Sequence, residues 1–214
     1  MTHSSVPPLV SSALSRFEWL DHGFGTRHSE LTQDAMASLT QIHSALVLSV
    51  SAAGCAGEAD ALVTNRPGVA LSVRTADCLP ILLADSQHHA VAAIHAGWRG
   101  AAKGIVGRTI DMMCLTFDTS PEQITAVIGP GIGACCYEVG GEVARQFGMH
   151  AGCIDLAAIN REQLIRAGVP ASHIDTLGYC TFCETALFHS YRRDRDQAGR
   201  MISFIRVLGS PRGH

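Results

Sequence analysis

The chain has 214 residues, of which 47% are apolar, and its formal net charge is −3. This length and apolar content predict a folded domain with a large core and exclude a disordered chain. The small negative charge argues against a nucleic-acid binder, because no surplus of basic residues is available to neutralise phosphates. No apolar run is long enough to span a bilayer, so we expect no membrane partner.

The N-terminal composition predicts a flexible arm over residues 1–15, where serine and proline are frequent, followed by a single domain over residues 16–214. The first residues lack the basic start and long apolar stretch of a signal peptide, so we expect a cytoplasmic protein. The eight cysteines of such a chain are expected to be free thiols rather than a disulfide framework.

Short apolar runs that alternate with helical patterns predict an α/β or α+β fold. A polar connector is predicted over residues 28–40 and a loop of small residues over 51–59. Strands are predicted over residues 41–50, 60–64, 69–73, 79–84, 90–94, 124–128, 174–177 and 200–208. Helices are predicted over residues 97–117, 138–149 and 155–167.

The two apolar runs over residues 79–84 and 90–94 carry the most informative pattern. Cys78 lies at the start of the first run and His95 at the end of the second. If the runs pair as a hairpin, the start of one strand lies beside the end of the other, and thiolate and imidazole meet at one sheet edge. His43, near the start of another predicted strand, offers a third ligand. Two imidazoles and a thiolate suit zinc or copper.

Other residues carry weaker signals. The Cys180-x-x-Cys183 pair has no matching second pair, so two packed thiols in a turn are favoured over a structural zinc site. The glycine-rich segment 129–133 fits a tight turn better than a phosphate-binding loop. Candidates for anion binding, against the default of a surface cation, are Arg27, Arg74, Arg99 and Lys103. Asp77 is a candidate acid or base, with turn capping as the alternative role.

These same residues resemble the motifs of the YfiH-like family, also called the laccase-domain, polyphenol-oxidase-type or peptidoglycan-editing-factor family. The resemblance covers about residues 22–208. The most specific matching segments are Thr75-Ala-Asp-Cys-Leu-Pro80 and His95-Ala-Gly-Trp-Arg-Gly100. Supporting matches are Gly23-Phe-Gly-Thr-Arg27, Gln41-Ile-His43, Ala59-Asp-Ala-Leu-Val-Thr64, Cys135-Cys-Tyr-Glu-Val139, Ser190-Tyr-Arg-Arg-Asp194 and Gly199-Arg200.

The resemblance implies a layered α/β/β/α sandwich of two mixed sheets, with zinc held by His43, Cys78 and His95. Members of the family look like purine nucleoside phosphorylases with adenosine deaminase and methylthioadenosine phosphorylase side activities. Copper-dependent phenol oxidation has also been ascribed to the family. Arg27 would contact phosphate or nucleoside, and Arg99 and Cys136 are further expected substrate contacts. We expect a monomer or weak homo-oligomer. The segment between Arg27 and Gln41 is shorter than the family's, so the substrate lid there is expected to differ.

The leading hypothesis is therefore a zinc-dependent enzyme that uses phosphate to release the base from a purine nucleoside. Its expected catalytic residues are His43, Cys78 and His95, with Asp77 transferring a proton. The alternatives are a copper-dependent phenol oxidase and a cysteine hydrolase of cell-wall peptides, with Cys78 as nucleophile and His95 as base. A zinc-stabilised binding module without enzymatic activity is a further alternative.

Overall fold

Two mixed β-sheets form the centre of the protein in a computed structural model, which describes residues 6–209. The strands are β1 (Leu20–Phe24), β2 (Ala37–Thr40), β3 (Val47–Ser49), β4 (Gly54–Glu58), β5 (Ala61–Thr64), β6 (Ala70–Thr75), β7 (Leu79–Asp85), β8 (Ala90–Ala96), β9 (Ile124–Ile128), β10 (Glu138–Val139), β11 (Gly152–Cys153), β12 (Ile174–Thr176) and β13 (Met201–Val207). The helices are α1 (Ser12–Ser15), α2 (Trp98–Ala102), α3 (Ile105–Phe117), α4 (Gly141–Arg145), α5 (Leu156–Arg166) and α6 (Tyr191–Asp194).

The larger sheet has six strands in the order β12-β9-β7-β8-β5-β3, and the other has five in the order β1-β13-β6-β2-β4. Each contains both parallel and antiparallel neighbours: β9 pairs parallel with β12 and antiparallel with β7, for example. The strands β10 and β11 form a separate two-stranded pair. The prediction of a mixed α/β domain with two mixed sheets is confirmed.

The larger sheet is buried on both faces, which explains its uninterrupted apolar runs. Along β7, Ile81 and Leu83 pack into the core shared with α3 and α5. The intervening Leu82 packs into the second core, between the two sheets, with Leu71 and Ile205 of the smaller sheet. Since successive strand residues point to opposite faces, a strand covered on both sides needs apolar residues at every position.

The long helix predicted over residues 97–117 is divided into α2 and α3. Gly104, between them, has φ of 71°, a left-handed conformation that glycine adopts without steric cost. The helix predicted over residues 138–149 is also shorter, because β10 replaces its first turn and α4 ends at Arg145. No helix in residues 6–209 has the length and apolar character that a bilayer crossing requires.

Residues 6–15, the described part of the predicted arm, contact the rest of the domain. Leu9 forms backbone hydrogen bonds in both directions with Phe24, each 2.8 Å long. Leu14 of α1 is fully buried in the core between the sheets. Residues 1–5 lie outside the described part of the chain.

Two strands of the smaller sheet were missed by the sequence patterns. β2 lies in the predicted connector, and β4 occupies most of the predicted loop. The sequence of β4, Gly-Cys-Ala-Gly-Glu, has neither branched residues nor alternation, and the strand is an exposed sheet edge. Its pairing comes from β2 beside it rather than from a β-forming sequence.

Candidate metal centre and adjoining cavity

The candidate site lies at one end of four neighbouring strands of the larger sheet, β7, β8, β5 and β3. The predicted hairpin of β7 and β8 is confirmed, with Pro80 opposite His95, so that Cys78 lies beside the end of β8. Ala61 at the start of β5 pairs with Ile94, which places Asp60 next to His95. The chain entering β3, which runs parallel to β5, contains His43. Residues that are far apart in sequence therefore converge because of strand order.

The three residues predicted as metal ligands are close together in space. Ligand atoms of His43, Cys78 and His95 all lie within 4.8 Å of one another and could hold a metal ion. The two imidazole rings meet edge to face, with centroids 4.9 Å apart and an interplanar angle of 78°. His95 is buried, Cys78 half-buried and His43 exposed, so the cluster opens towards solvent on the His43 side.

Unusual backbone conformations hold this cluster in place. His43 has φ of 57° and Asp77, the residue before Cys78, has φ of 86°. Such conformations are uncommon outside glycine and concentrate at functional sites. Gly97 provides the space for the thiol: a Cβ atom there would lie 2.8 Å from Cys78 Sγ and 3.5 Å from His43 Cδ2. The turn after β8 therefore requires a residue without a side chain.

Asp60 is the functional candidate that sequence reasoning missed. Its Oδ1 lies 2.8 Å from His95 Nδ1 and accepts the backbone N–H of His43 at 3.0 Å. Its Oδ2 accepts hydrogen bonds from the backbone N–H and the hydroxyl of Ser44. A carboxylate on Nδ1 fixes the ring orientation and leaves Nε2 for a metal, as in many histidine metal sites. The available signal was an aspartate directly before a buried strand, within the Ala59–Thr64 motif.

Burial alone would raise the pKa of Asp60, but its hydrogen bonds to His95 and Ser44 outweigh this and lower the pKa from 3.8 to about 2. Burial would likewise raise the pKa of Cys78, yet hydrogen bonds with His43 and His95 lower it to about 6. For His95, the partners Asp60 and Cys78 overcome desolvation and raise the pKa to about 9. The cluster therefore favours thiolate over thiol near neutral pH, the form in which cysteine binds metals.

A cavity of about 460 Å³ adjoins the cluster and is lined by Gln41, His43, Arg74, Thr75, Ala76, Cys78, His95, Ala198 and Arg200. Its volume falls within the roughly 300–1,000 Å³ that is typical of small-molecule sites. Gln41 fixes the β6 end of this cavity, because its amide donates to Arg74 O and accepts from Arg74 N, both at 2.8 Å. Among the described residues, neither Arg74 nor Arg200 forms an ion pair with a carboxylate.

Arg27 lines a second cavity of about 560 Å³, together with His189, Arg193, Asp194 and Gln197. Its guanidinium donates to the carbonyl oxygen of Thr185 at 2.7 Å. The two cavities share no lining residue, but Gln197 lines the second and its neighbour in the chain, Ala198, lines the first. Arg27 is therefore near the predicted site but outside its first cavity.

Three other predicted site residues are not brought into the cavity beside the ligand cluster. Arg99 is exposed, and its guanidinium lies 4.3 Å from the centroid of the Trp98 ring. Cys136 lies in a separate group of cysteines. Asp77 is buried, and its two carboxylate oxygens accept hydrogen bonds from the Thr181 hydroxyl at 2.7 Å and from the Arg192 backbone N–H at 2.6 Å. Its contacts match the turn-capping alternative rather than free acid or base chemistry.

Comparison with known proteins identifies a family and several similar chains. Residues 25–208 match the family described as multi-copper polyphenol oxidoreductase laccase. A purine nucleoside phosphorylase of Deinococcus radiodurans is 42% identical over 191 residues, which cover 84% of this chain and 72% of that protein. The adenosine deaminase RL5 of an unknown prokaryotic organism is 40% identical over 161 residues, covering 68% and 61% of the two chains.

The crystal structure of YlmD from Geobacillus stearothermophilus superposes with a TM-score of 0.85 at 28% sequence identity, covering 93% of this chain and 94% of that one. The similarity therefore extends over both sheets. The family match and the identity to curated relatives cover most of the described residues. The chain belongs to the YfiH-like, laccase-domain family.

Proposed function

We propose that the protein is a zinc-dependent purine nucleoside phosphorylase that also deaminates adenosine. Relatives that carry these two activities in their names support the substrate class. The observation that carries the proposal is the junction of a His43, Cys78 and His95 cluster with a cavity lined by Arg74 and Arg200. Such a junction can place a metal-binding group and an anion side by side.

The donor set fits zinc, and the residues that would hold it are His43, Cys78 and His95. Two imidazoles and one thiolate are ordinary zinc ligands, and three protein ligands with one open position are typical of catalytic zinc. Asp60 supplies the carboxylate that orients the His95 ring. Bound zinc would supply a Lewis acid, able to polarise a substrate or activate water.

The chain's own residues would bind and orient the substrates. Arg74 and Arg200 carry positive charge without a carboxylate partner among the described residues, and this charge is suited to phosphate. In phosphorolysis a phosphate oxygen forms a bond to C1′ of the ribose while the bond from C1′ to the base breaks, and the base leaves with a proton. In deamination a water oxygen bonds to C6 of adenine and ammonia leaves. Arg27, in the adjoining cavity, is positioned for the part of the substrate that extends there.

The alternatives have less support from the cavity. A blue-copper site uses two histidines, a cysteine and a weak axial ligand such as methionine or glutamine. Gln41 lines this cavity, but its side-chain amide is already hydrogen-bonded to the backbone of Arg74 on both sides. A cysteine hydrolase would use the Cys78 thiolate beside His95 as its nucleophile, and the lowered pKa of Cys78 is compatible with that chemistry. Zinc distinguishes the cysteine hydrolase from the proposed phosphorylase. A Cys78 thiolate that coordinates a metal is no longer free to attack a substrate.

The proposal is tested by incubating zinc-loaded protein with inosine and with adenosine, each in the presence and absence of phosphate. Hypoxanthine release from inosine should require phosphate, and inosine formation from adenosine should not. Cys78→Ala should abolish both reactions, whereas Cys55→Ala, which alters an exposed cysteine on β4, should leave both unchanged. Arg200→Gln should raise the KM for phosphate about tenfold, the usual scale of a lost charge-assisted hydrogen bond.

The matched control for the arginine variant is Arg166→Gln, since Arg166 is exposed on α5 and paired with Glu162. Zinc-loaded protein that catalyses neither phosphorolysis nor deamination would remove the proposed function. Activity on cell-wall peptides that is inhibited by zinc would instead support the cysteine hydrolase.

A further inference from the structure

A second group of potential metal ligands lies outside the cavity and has no role in the chemistry above. The Sγ atoms of Cys135, Cys136, Cys180 and Cys183 all lie within 4.8 Å of one another. The sequence pattern favours two packed thiols for Cys180 and Cys183, because no matching second cysteine pair lies near them in the chain. The fold supplies that second pair.

We propose that these four cysteines form a structural zinc site with four thiolate ligands. Strand pairing explains why they meet. β9 and β12 are parallel neighbours, with Ile128 opposite Thr176 at their ends. The segments that follow these two strands therefore leave the sheet side by side, one carrying Cys135 and Cys136 and the other Cys180 and Cys183. Gly131 O accepts the backbone N–H of Thr181 at 2.9 Å, which joins the two segments.

The distances between sulfur atoms suit one tetrahedral ion. A zinc–sulfur bond of about 2.3 Å places the sulfur atoms of a tetrahedral site about 3.8 Å apart. The Sγ atom of Cys183 lies 3.3 Å from that of Cys136 and 3.7 Å from that of Cys135. These separations are far longer than the S–S bond of a disulfide, about 2.05 Å, and all four cysteines are free thiols in the structure.

The backbone beside the cluster donates a hydrogen bond to one sulfur atom and leaves room for the others. The N–H of Gly133 donates to Cys180 Sγ at 3.3 Å, the kind of outer hydrogen bond that tunes metal–sulfur sites. A Cβ atom on Gly133 would lie 3.3 Å from Cys135 Sγ and 3.5 Å from Cys180 Sγ, so a side chain there would crowd the cluster. Cys135 and Cys183 are exposed, which gives an ion a path of entry.

Two arginines brace the backbone of the two cysteine segments. The Arg193 guanidinium donates to the carbonyl oxygens of Thr181 and Phe182, inside the Cys180–Cys183 segment. The Arg192 guanidinium donates to Glu138 O, close to Cys135 and Cys136 in the chain. These hydrogen bonds hold the backbone of both cysteine segments in place around the four sulfur atoms.

The site would also fix the loop that supports the first metal centre. Thr181, between Cys180 and Cys183, is fully buried and donates to Asp77 Oδ1. Asp77 immediately precedes Cys78, so the four-cysteine group is connected to the Cys78 ligand through one side-chain hydrogen bond. An ion at this position would hold Thr181 against Asp77 and limit movement of the turn that presents Cys78.

The test is the number of zinc ions bound by full-length protein after reconstitution with zinc under reducing conditions. Elemental analysis should find two ions per chain in the wild type and one in Cys78→Ala. It should find one in the double variant Cys180→Ser with Cys183→Ser, and two in the control Cys55→Ser. Cobalt bound to Cys78→Ala should show the intense thiolate-to-metal absorption of a four-sulfur site.

A zinc-free Cys78→Ala protein would overturn the proposal, and this outcome does not depend on whether the double variant folds. Titration of thiols in wild-type protein that is purified without reductant and then denatured gives a second criterion. Loss of two or four of the eight thiols to disulfides within this group would show that the cysteines pair with one another instead of binding zinc.

Discussion

Gly97→Ala is expected to damage the His43, Cys78 and His95 centre through a single methyl group. The backbone of Gly97 has φ of −79° and ψ of 172°, which alanine adopts freely. The added Cβ atom would lie 2.8 Å from Cys78 Sγ. Non-bonded heavy atoms rest at about 3.5–4.0 Å, so the thiol must move by roughly 1 Å or the turn must shift.

This displacement is large compared with the tolerance of a metal site. Metal–ligand distances vary by about 0.2 Å around their usual values, and misplacement of a ligand by about 1 Å is a common cause of failed sites. We expect zinc affinity to fall about 10- to 100-fold, which corresponds to about 1.4–2.8 kcal/mol. The cost to folding should be smaller, on the order of 1 kcal/mol, from replacing glycine at the N-cap of α2.

Zinc affinity is measured by competition with a chromophoric chelator, and stability by urea unfolding of the metal-free proteins. The control is Gly107→Ala, because a Cβ on this α3 glycine meets no atom within 4 Å. This variant should keep wild-type affinity and gain about 0.5–1 kcal/mol of stability from the better helix former. A folded Gly97→Ala protein with wild-type zinc affinity and turnover would refute the steric argument.

Three further predictions concern the groups around this centre. Asp60→Asn should weaken zinc binding about 10- to 100-fold in the same competition assay, because the orienting carboxylate on His95 is lost. Zinc affinity should fall as the pH drops below about 9, and more steeply below about 6, because His95 (pKa about 9) and Cys78 (pKa about 6) must each lose a proton to bind the metal. Chelator competition across a pH series measures this. Thr181→Val should cost about 1–3 kcal/mol of unfolding free energy in urea melts, because it leaves a buried Asp77 oxygen without its donor.

Each of these predictions has its own control and its own contrary outcome. Ser44→Ala removes only one of the donors to Asp60, so it should weaken zinc binding less than Asp60→Asn does. Affinity that is independent of pH between about 5 and 8 would contradict zinc binding by His95 and the Cys78 thiolate. Thr116→Val, on the exposed part of α3, should leave stability nearly unchanged, and equal losses in both threonine variants would contradict a special role for Thr181.

The sequence patterns were most informative where a strand is buried on both faces. The β7–β8 hairpin could be predicted because its apolar runs are uninterrupted, and its register then placed Cys78 beside His95. Residues 41–50 were less well predicted, since only Val47–Ser49 form a strand and His43 lies in the irregular chain before it. His43 has a left-handed conformation, and its backbone N–H donates to the Asp60 carboxylate. The local sequence around His43 does not reveal this contact, because Asp60 is 17 residues away.

The features that could not be predicted depend on contacts between distant segments. The four-cysteine group exists because β9 and β12 pair in parallel, and periodicity within a strand does not determine which strand lies beside it. The role of Asp60 depends on the pairing of β5 with β8. The edge strand β4 is held by β2 and consists of small residues, so its own sequence carries no strand signal.

The larger sheet delivers both ligand groups from a single end, and the hairpin turn at residues 86–89 lies at the other. This turn is therefore a suitable point of attachment to a solid support. A biotin acceptor peptide or a resin linker placed at residues 86–89 would orient every molecule with its cavities towards the liquid phase. Immobilised protein should therefore keep the turnover of free protein, whereas attachment through the exposed Cys135 or Cys183 should not.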